Sequence, residues 1–124
     1  MKQRILITGA TGFLGSNLLE RLREDSGLAV FAKKFDLTNS QDVISYIKIS
    51  KPDIVYHLGA LVDLTRSFDI ARKTAEANIV GTVNLLEALM KHPAKKFIFA
   101  STEEVYGEGR LPYKETDGAN PPSP

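Results

Sequence analysis

The chain has 124 residues, of which 43% are hydrophobic, and this length and composition suit one globular domain with a buried core. Its 16 basic and 15 acidic residues are spread along the sequence and give a formal charge of +1, which favours neither a nucleic acid nor an anionic membrane as partner. There is no cysteine, and the two histidines are isolated, so we expect no disulfide, no metal site and a cytoplasmic location. The apolar run after Met1 is too short for a signal peptide or a membrane-spanning helix.

Short apolar runs alternate with longer amphipathic segments in the first third of the chain. A strand is predicted at 5–8. Leucines recur every four residues after it and predict a helix: Leu14, Leu18 and Leu22. A second apolar run predicts a strand at 28–32, and a short third strand is predicted at 35–37.

The rest of the chain continues this alternation. Ser40 is the predicted N-cap of a helix that ends before Pro52. This helix carries three apolar residues, Val43, Ile44 and Ile47. The sequence then predicts a strand at 53–58, a long helix from about 68 to 92 and a strand at 97–100. Apolar strands separated by helices indicate a parallel sheet covered on both faces, so the predicted fold class is doubly wound α/β.

A glycine-rich stretch follows the first predicted strand, at the sheet edge where such folds bind ligands. It reads TGATGFLG at 8–15. Gly9 suits a tight turn, Gly12 lets the backbone approach a pyrophosphate, and Gly15 lets the helix pack closely on the strand. With no Lys-Ser/Thr pair, the stretch is not a P-loop. It predicts a dinucleotide diphosphate at the helix N-terminus, with a purely structural turn as the alternative.

Four stretches occur in the order typical of one enzyme family. They are TGATGFLG at 8–15, YHLGA at 56–60, NIVGTVNLLEA at 78–88 and FASTEEVYG at 99–107. Together they resemble successive motifs of the extended short-chain dehydrogenase/reductases, the NAD(P)-dependent epimerases and dehydratases of sugar nucleotides. The resemblance covers the chain from end to end. It implies a Rossmann fold that binds a dinucleotide cofactor and acts on a sugar nucleotide by transient oxidation.

The resemblance also implies which residues bind the cofactor. They are Gly9, Thr11, Gly12, Phe13, Leu14, Gly15, Lys33, Asp36, Leu37, Leu58, Gly59, Ala60, Ala100 and Ser101. NAD-binding relatives carry an acidic residue for the ribose hydroxyls where this sequence has Lys33, while Asp36 matches the residue that contacts the adenine. Lys33 and Lys34 could pair with a ribose phosphate, which favours NADP over NAD, or could belong only to a solvated turn. His57 is expected to be a packed, hydrogen-bonded strand residue.

The catalytic residues that the resemblance implies come from two stretches. Thr102 matches the hydroxyl residue that hydrogen-bonds the substrate oxygen at the carbon losing hydride. The alternative is that this hydroxyl only satisfies backbone groups at the end of the strand. Glu103 and Glu104 resemble the acid pair of members that eliminate water, with Glu first where Asp is usual; a solvated turn is the alternative. Asn78 matches a helix residue that positions the active site near a helix irregularity, or is a partly exposed helix Asn.

The family's reaction also depends on a tyrosine with a lysine four residues later. Tyrosines stand at 46, 56, 106 and 113, and none is followed by that lysine. The last ten residues, ETDGANPPSP, resemble the loop that leads into the tyrosine, and we assign 108–124 to this loop. We therefore expect 1–124 to be an incomplete Rossmann domain, truncated before Tyr-x-x-x-Lys and the substrate lobe and inactive by itself. The alternative function is a non-catalytic module that binds or senses NAD(P).

The predicted long helix has an apolar face with the spacing of a helix-helix contact. This face consists of Ile79, Val83, Leu86 and Met90. Relatives pair through a helix of this region, so a homodimer of the intact protein is expected, although packing on the parent sheet would also require an apolar face. Val80, Leu85 and Leu89 form a second apolar set. We expect the strand at 97–100 to lie at or near the sheet edge and the 124-residue chain to be marginally stable and association-prone.

Overall fold

In the computed structural model, which describes residues 1–62, 70–108 and 111–121, the apolar runs form one parallel sheet. Its strands are β1 (Gln3–Thr8), β2 (Leu28–Phe31), β3 (Ile54–His57) and β4 (Lys96–Phe99). Their order is β2-β1-β3-β4. Because the strands that follow β1 lie on opposite sides of it, the carboxyl ends of β1 and β3 form a topological switch point, where such sheets bind ligands. The doubly wound α/β prediction is confirmed.

The helices fill the connections between the strands. They are α1 (Phe13–Arg23), α2 (Ser40–Ser50), α3 (Ala71–Ala75) and α4 (Gly81–Lys91). A π-helical turn, Glu76–Val80, joins α3 to α4 with right-handed helical dihedrals at both junctions. The long helix predicted from about 68 to 92 is thus observed over 71–91, with a π turn inside it, and its predicted start lies outside the described residues. A short 3-10 helix, Glu103–Tyr106, follows β4.

Two predictions between β2 and α2 are wrong. Residues 35–37 do not form a strand, because the Asp36 carboxylate accepts hydrogen bonds from the backbone N–H and the hydroxyl of Thr38, at 2.9 and 2.8 Å, and so closes a turn. The N-cap of α2 is Asn39 and not Ser40. The Asn39 side-chain oxygen accepts from the N–H groups of the second and third helical residues, at 3.0 and 3.3 Å, so Ser40 becomes the first residue of the helix.

The main core lies between one face of the sheet and the pair α2 and α4. It is built from Leu6, Val43, Ile47, Val55, Leu85, Ala88 and Leu89. Side chains alternate along a strand, so Ile5 and Ile7 point to the opposite face, where α1 packs against β1 and β2. The two layers of helices leave the carboxyl edge of the sheet accessible.

Among the described strands, β4 is an outer strand, as expected for 97–100. Its side chains are correspondingly accessible: Ile98 is 40% exposed and Phe99 is 55% exposed. Phe97, by contrast, points to the main core and is packed against it. The uncovered apolar surface of β4 is available for contact with further chain or with a partner.

Candidate functional site

The glycine-rich stretch forms a tight turn between β1 and α1. Gly9 has a φ of +71°, and a Cβ there would lie 2.6 Å from the backbone N of Gly59, so a side chain is excluded by conformation and by space. The N–H of Gly12 donates to the Gly9 carbonyl oxygen at 3.0 Å. Gly15 packs so closely on this turn that a Cβ would meet Gly9 O. Gly12 is the N-cap of α1 and has no side chain to cover the first-turn N–H groups, which suits an anion.

A first cleft of about 740 Å³ opens beside this turn, at the switch point of the sheet. Seven of the predicted cofactor residues line it, namely Gly9, Thr11, Lys33, Asp36, Leu37, Gly59 and Ala60. Four predicted cofactor residues of the glycine-rich stretch do not line it, namely Gly12, Phe13, Leu14 and Gly15. Of these, Phe13 and Leu14 are 89% and 58% exposed on α1. Lys34, predicted with Lys33 as a partner of a ribose phosphate, also lines it, whereas other lining residues such as Phe35 and Ala77 were not predicted.

The far wall of the first cleft is held by polar contacts. The backbone N–H of Lys33 donates to the Tyr46 hydroxyl at 3.0 Å, while the Lys33 side chain is exposed at the cleft. Hydrogen bonds from the hydroxyl and backbone N–H of Thr38 lower the pKa of Asp36 below its ordinary 3.8, so this carboxylate stays charged at neutral pH. The side-chain amide of Asn84 reaches the same wall from α4. Lys33 and Asp36, a cation and an anion, therefore both line this cleft.

A second cleft of about 240 Å³ adjoins the first and shares Gly59 and Ala60 with it. It brings together five other predicted site residues, which are Leu58, Asn78, Ala100, Ser101 and Thr102. His57 and Thr82 form part of its lining. The two clefts thus make one continuous groove along the carboxyl edge of the sheet.

Thr102 and the two glutamates occupy different environments. Thr102 lines the second cleft and is also the N-cap of the 3-10 helix, where its Oγ1 accepts from the Glu104 N–H at 3.3 Å. Since its oxygen is used as an acceptor, the Thr102 hydroxyl proton remains available for donation to a ligand. Glu103 and Glu104 are exposed and line neither cleft.

Asn78 lies in the π-helical turn, where an irregular helix turns its side chain toward the loop after β3. Its Oδ1 accepts from the N–H of Leu61 at 2.7 Å, and its Nδ2 donates to the Leu61 carbonyl oxygen at 2.9 Å. Both bonds join the side-chain amide of Asn78 to the backbone of one residue, Leu61. Asn78 therefore fixes the loop after β3, whose residue Leu61 lines the first cleft.

His57 is buried at the end of β3, with 2% of its surface exposed, and packs beside the rings of Phe97 and Phe99. Its Nδ1 lies 2.6 Å from Thr8 Oγ1, and its Nε2 lies 2.9 Å from Thr82 Oγ1. Burial lowers the pKa of His57 below its ordinary 6.5. The prediction of a packed, hydrogen-bonded histidine is confirmed. Thr82 and Asn84 were not predicted; polar residues interrupting an apolar helical stretch were the available signal.

The segment after the 3-10 helix folds back on it. The Tyr113 hydroxyl donates to the Gly107 carbonyl oxygen at 2.7 Å, and the rings of Tyr106 and Tyr113 stack with centroids 5.1 Å apart. The N–H of Asn120 donates to the Val105 carbonyl oxygen at 2.9 Å. These contacts pack part of the predicted 108–124 loop against the 3-10 helix that follows Thr102. Residues 109–110 and 122–124 of this loop lie outside the described part.

Within 1–62, 70–108 and 111–121, no three histidine or acidic side chains are grouped so that they could hold a metal ion. Over the same residues, none of the helices combines the length and the apolar character needed to cross a membrane.

Comparison with known proteins identifies relatives along almost the whole chain. Residues 5–124 match the NAD dependent epimerase/dehydratase family. The chain is 34% identical to a UDP-N-acetyl-alpha-D-glucosaminuronate decarboxylase of Bacillus cytotoxicus, over 94% of the chain and 42% of that protein. It is 35% identical to a dTDP-D-glucose 4,6-dehydratase of Dictyostelium discoideum, over 88% of the chain and 31% of that protein. The chain thus spans less than half the length of these relatives.

Solved structures give the same result. A UDP-glucose 4-epimerase of Thermus thermophilus, in complex with NAD, superposes with a TM-score of 0.85 and 29% identity over 96% of the chain and 45% of that structure. RMD from Pseudomonas aeruginosa, in complex with NADPH, superposes with a TM-score of 0.83 and 29% identity over 98% of the chain and 42% of that structure. Neighbours with this fold therefore include one structure with NAD and one with NADPH.

Proposed function

Because the chain belongs to the NAD-dependent epimerase/dehydratase family, we propose that it is the dinucleotide-binding part of an enzyme that acts on a sugar nucleotide by transient oxidation. The observation that supports this most directly is the glycine turn that borders the first of two adjoining clefts. A cleft of about 740 Å³ is within the size range of small-molecule and cofactor sites. We also propose a cytoplasmic location, which the cysteine-free sequence accommodates.

In this proposal the cofactor lies along the groove. The first cleft takes the adenosine half, the N–H groups at the start of α1 hold the pyrophosphate, and the second cleft takes the nicotinamide. The absence of a side chain at Gly12 supports this placement, since a Cβ there would have only Gly9 O near it, at 3.3 Å, and would otherwise project toward the ligand. When bound, NAD(P) supplies the hydride acceptor.

The chain's own contribution to catalysis is to orient the substrate. The free proton of the Thr102 hydroxyl donates to the substrate oxygen at the carbon that loses hydride, and Asn78 keeps the loop at Leu61 clear of that position. Glu103 and Glu104 take part in proton transfer only in a dehydratase, which requires them to turn from their exposed positions toward the second cleft. The tyrosine and lysine of the family's reaction are not among the 124 residues.

We propose that NADP is preferred over NAD. Lys33 and Lys34 are exposed at the first cleft, beyond the end of β2, and carry the charge that a ribose phosphate requires. The test is titration calorimetry of the chain with NADP and with NAD. We expect tighter NADP binding, and a loss of that preference in Lys33→Ala and Lys34→Ala, but not in Lys48→Ala on the exposed surface of α2. Tighter NAD binding by the unaltered chain would contradict the proposal.

A second candidate function is a non-catalytic module that binds or senses NAD(P). The observation that favours it is that both clefts are lined entirely by residues of this chain. The two candidates differ in the coding sequence that follows Pro124. A continuous reading frame with Tyr-x-x-x-Lys supports the enzyme, and turnover of a sugar nucleotide by its product tests it. A native stop codon at that point supports the module.

We propose further that the intact protein is a homodimer. The apolar face of the long helix is exposed, at 63% for Ile79, 46% for Val83, 43% for Leu86 and 83% for Met90. The parent core does not need these residues, because Leu85 and Leu89 of the same helix already fill it. An exposed apolar stripe with helix-helix spacing fits the same stripe of a second copy, related by a two-fold axis.

A further inference from the structure

The environment of His57 fixes its protonation state by hydrogen-bond accounting. Thr82 has one hydroxyl proton, and Thr82 Oγ1 donates it to the carbonyl oxygen of Asn78 at 2.6 Å. Thr82 Oγ1 can therefore only accept from His57, which requires a proton on Nε2, at 2.9 Å. In the neutral ring Nδ1 is then an acceptor, and the hydroxyl of Thr8 donates to it at 2.6 Å.

The Thr8 hydroxyl continues this chain of hydrogen bonds on the other side of the ring. Thr8 Oγ1, having donated its proton to the imidazole, accepts from the N–H of Gly59 at 3.0 Å. Each donor is used once, and the bonds run in one direction from the Gly59 N–H to the Asn78 carbonyl. A charged imidazole would break this order, because Nδ1–H and the Thr8 hydroxyl would both be donors. Burial opposes the charge as well.

This chain of bonds joins the parts that form the two clefts. Thr8 is the residue before Gly9, and the Gly9 turn touches the backbone of Leu58 and Gly59. At the other end, Thr82 and Asn78 lie on the helix that closes the second cleft. One buried imidazole therefore spans the distance between the glycine turn and the π-helical turn.

We propose that His57, as the neutral tautomer with Nε2 protonated, is a positioning residue that sets the spacing between the glycine turn and the Asn78 turn and so holds both clefts ready for a dinucleotide. The ligand in this statement rests on the proposed function. His57 is almost fully buried and acts through its hydrogen bonds with Thr8 and Thr82. The role requires a hydrogen-bond acceptor toward Thr8 and a donor toward Thr82, held at a fixed separation by the imidazole ring.

The tautomer is measured directly, without any ligand. Long-range proton-nitrogen spectra of the imidazole groups distinguish the two neutral tautomers and the imidazolium, and a His92→Gln variant identifies the signals of the other histidine. At neutral pH we expect a single species for His57 with Nε2 protonated and Nδ1 unprotonated. A ring protonated on Nδ1, a mixture of tautomers, or an imidazolium would overturn the proposal.

Substitutions then separate the two bonds. His57→Asn keeps an acceptor near Nδ1, His57→Gln keeps a donor near Nε2, and His57→Leu keeps neither. We expect NADPH affinity to fall about tenfold in His57→Leu and by a smaller factor in the two amide variants. Thr82→Ser retains the hydroxyl and should restore the affinity that Thr82→Val loses. Equal affinities in His57→Leu and the unaltered chain, or no rescue by serine, would overturn the proposal.

A double-mutant cycle tests the connection itself. Thr8→Val and Thr82→Val remove the two hydroxyls, which are linked through the imidazole. We expect the loss of NADPH affinity in the double variant to be clearly smaller than the product of the losses in the two single variants. In a His57→Leu background this coupling should disappear. Multiplicative effects would overturn the proposal. The cycle is measured both in NADPH affinity and in the free energy of unfolding, so a chain that binds no dinucleotide would refute the proposed function while the unfolding cycle and the spectra still decide the role of His57.

Discussion

The side-chain amide of Asn84, on α4, donates to the backbone carbonyl oxygen of Leu37 at 2.9 Å, although the two residues lie 47 positions apart. A second bond from the same amide reaches the Thr38 carbonyl oxygen at 3.2 Å. Leu37 also packs on Gly81, where a Cβ would lie 3.0 Å from the Leu37 Cβ. The far wall of the first cleft, which follows β2 in the sequence, is thus held in place by α4.

Replacing this amide should loosen the wall. In Asn84→Ala both carbonyl oxygens lose their donor, and we expect the free energy of unfolding to fall by about 1 kcal/mol, with weaker binding of NADP. Asn84→Asp keeps the shape but cannot donate, so it should be at least as damaging. Urea unfolding and calorimetry measure the two effects. Glu87→Ala, at an exposed position of α4, is the control, and equal values for Asn84→Ala and the control would contradict the assignment.

The four glycines at 9, 12, 15 and 118 should respond differently to alanine. Gly9→Ala meets a positive φ and a backbone contact at 2.6 Å, so we expect a loss of about 1 to 3 kcal/mol in unfolding free energy, and Gly15→Ala should be similar because of its contact with Gly9 O. Gly12→Ala should fold nearly as well as the parent yet bind NADP weakly. Gly118→Ala, with open space around its Cβ, is the control. A Gly12 variant with full affinity would refute the placement of the pyrophosphate.

Local patterns in the sequence were sufficient for the sheet and for most helices. The run at 5–8 and the apolar run near 54–57 are strands because they are buried in a parallel sheet, and hydrophobic periodicity reports burial. The run at 96–99 is equally apolar and was predicted by the same pattern, although as the outer strand β4 it is largely exposed. The failures lie where one side chain decides the local backbone. The Asp36 carboxylate closes a turn where hydrophobicity alone predicts a strand. The N-cap of α2 is Asn39, one position before the predicted Ser40, because its side-chain oxygen bonds the first-turn N–H groups.

The candidate site was only partly predictable, for a related reason. Glycine spacing and the motif after β4 identify residues that lie next to one another in sequence. Thr82 and Asn84 act across the fold, on His57 and on Leu37, and such contacts depend on the relative placement of α4 and the sheet. Locally, the sequence shows only that these two polar side chains interrupt an apolar helical stretch, and this does not identify the groups that they bond across the fold.

The buried histidine should make stability depend on pH in one window. Burial lowers the pKa of His57 below its ordinary 6.5, so between that value and the folded pKa the unfolded chain binds a proton that the folded chain does not. The contribution of neutral His57 is therefore fully present above about pH 6.5 and is lost as the pH falls through the folded pKa. The side chains in contact with its ring, Thr8, Thr82, Phe97 and Phe99, do not titrate in this range.

Urea unfolding of the chain at a series of pH values from about 5 to 8 measures this dependence. We expect His57→Gln to flatten the part of the curve below the ordinary histidine pKa, and His92→Gln to leave the contribution of His57 in place. The carboxylates of Asp36 and Asp53 also have lowered pKa values, from hydrogen bonds with Thr38 and with Arg4 and Lys95 respectively. Their contribution is lost only below 3.8, outside the window. An unchanged slope in His57→Gln would refute the prediction.

The exposed face of the long helix, Ile79, Val83, Leu86 and Met90, should control association. A lysine at the centre of this face would place a charge in an apolar contact between two copies, so we expect Leu86→Lys to shift the chain toward monomer at micromolar concentration. Asn17→Lys adds the same charge at an exposed position of α1 and is the control. Light scattering measures the mass, and urea unfolding checks that both variants are folded. A monomeric intact protein, or a Leu86→Lys variant that associates as strongly as Asn17→Lys, would contradict the proposed dimer face.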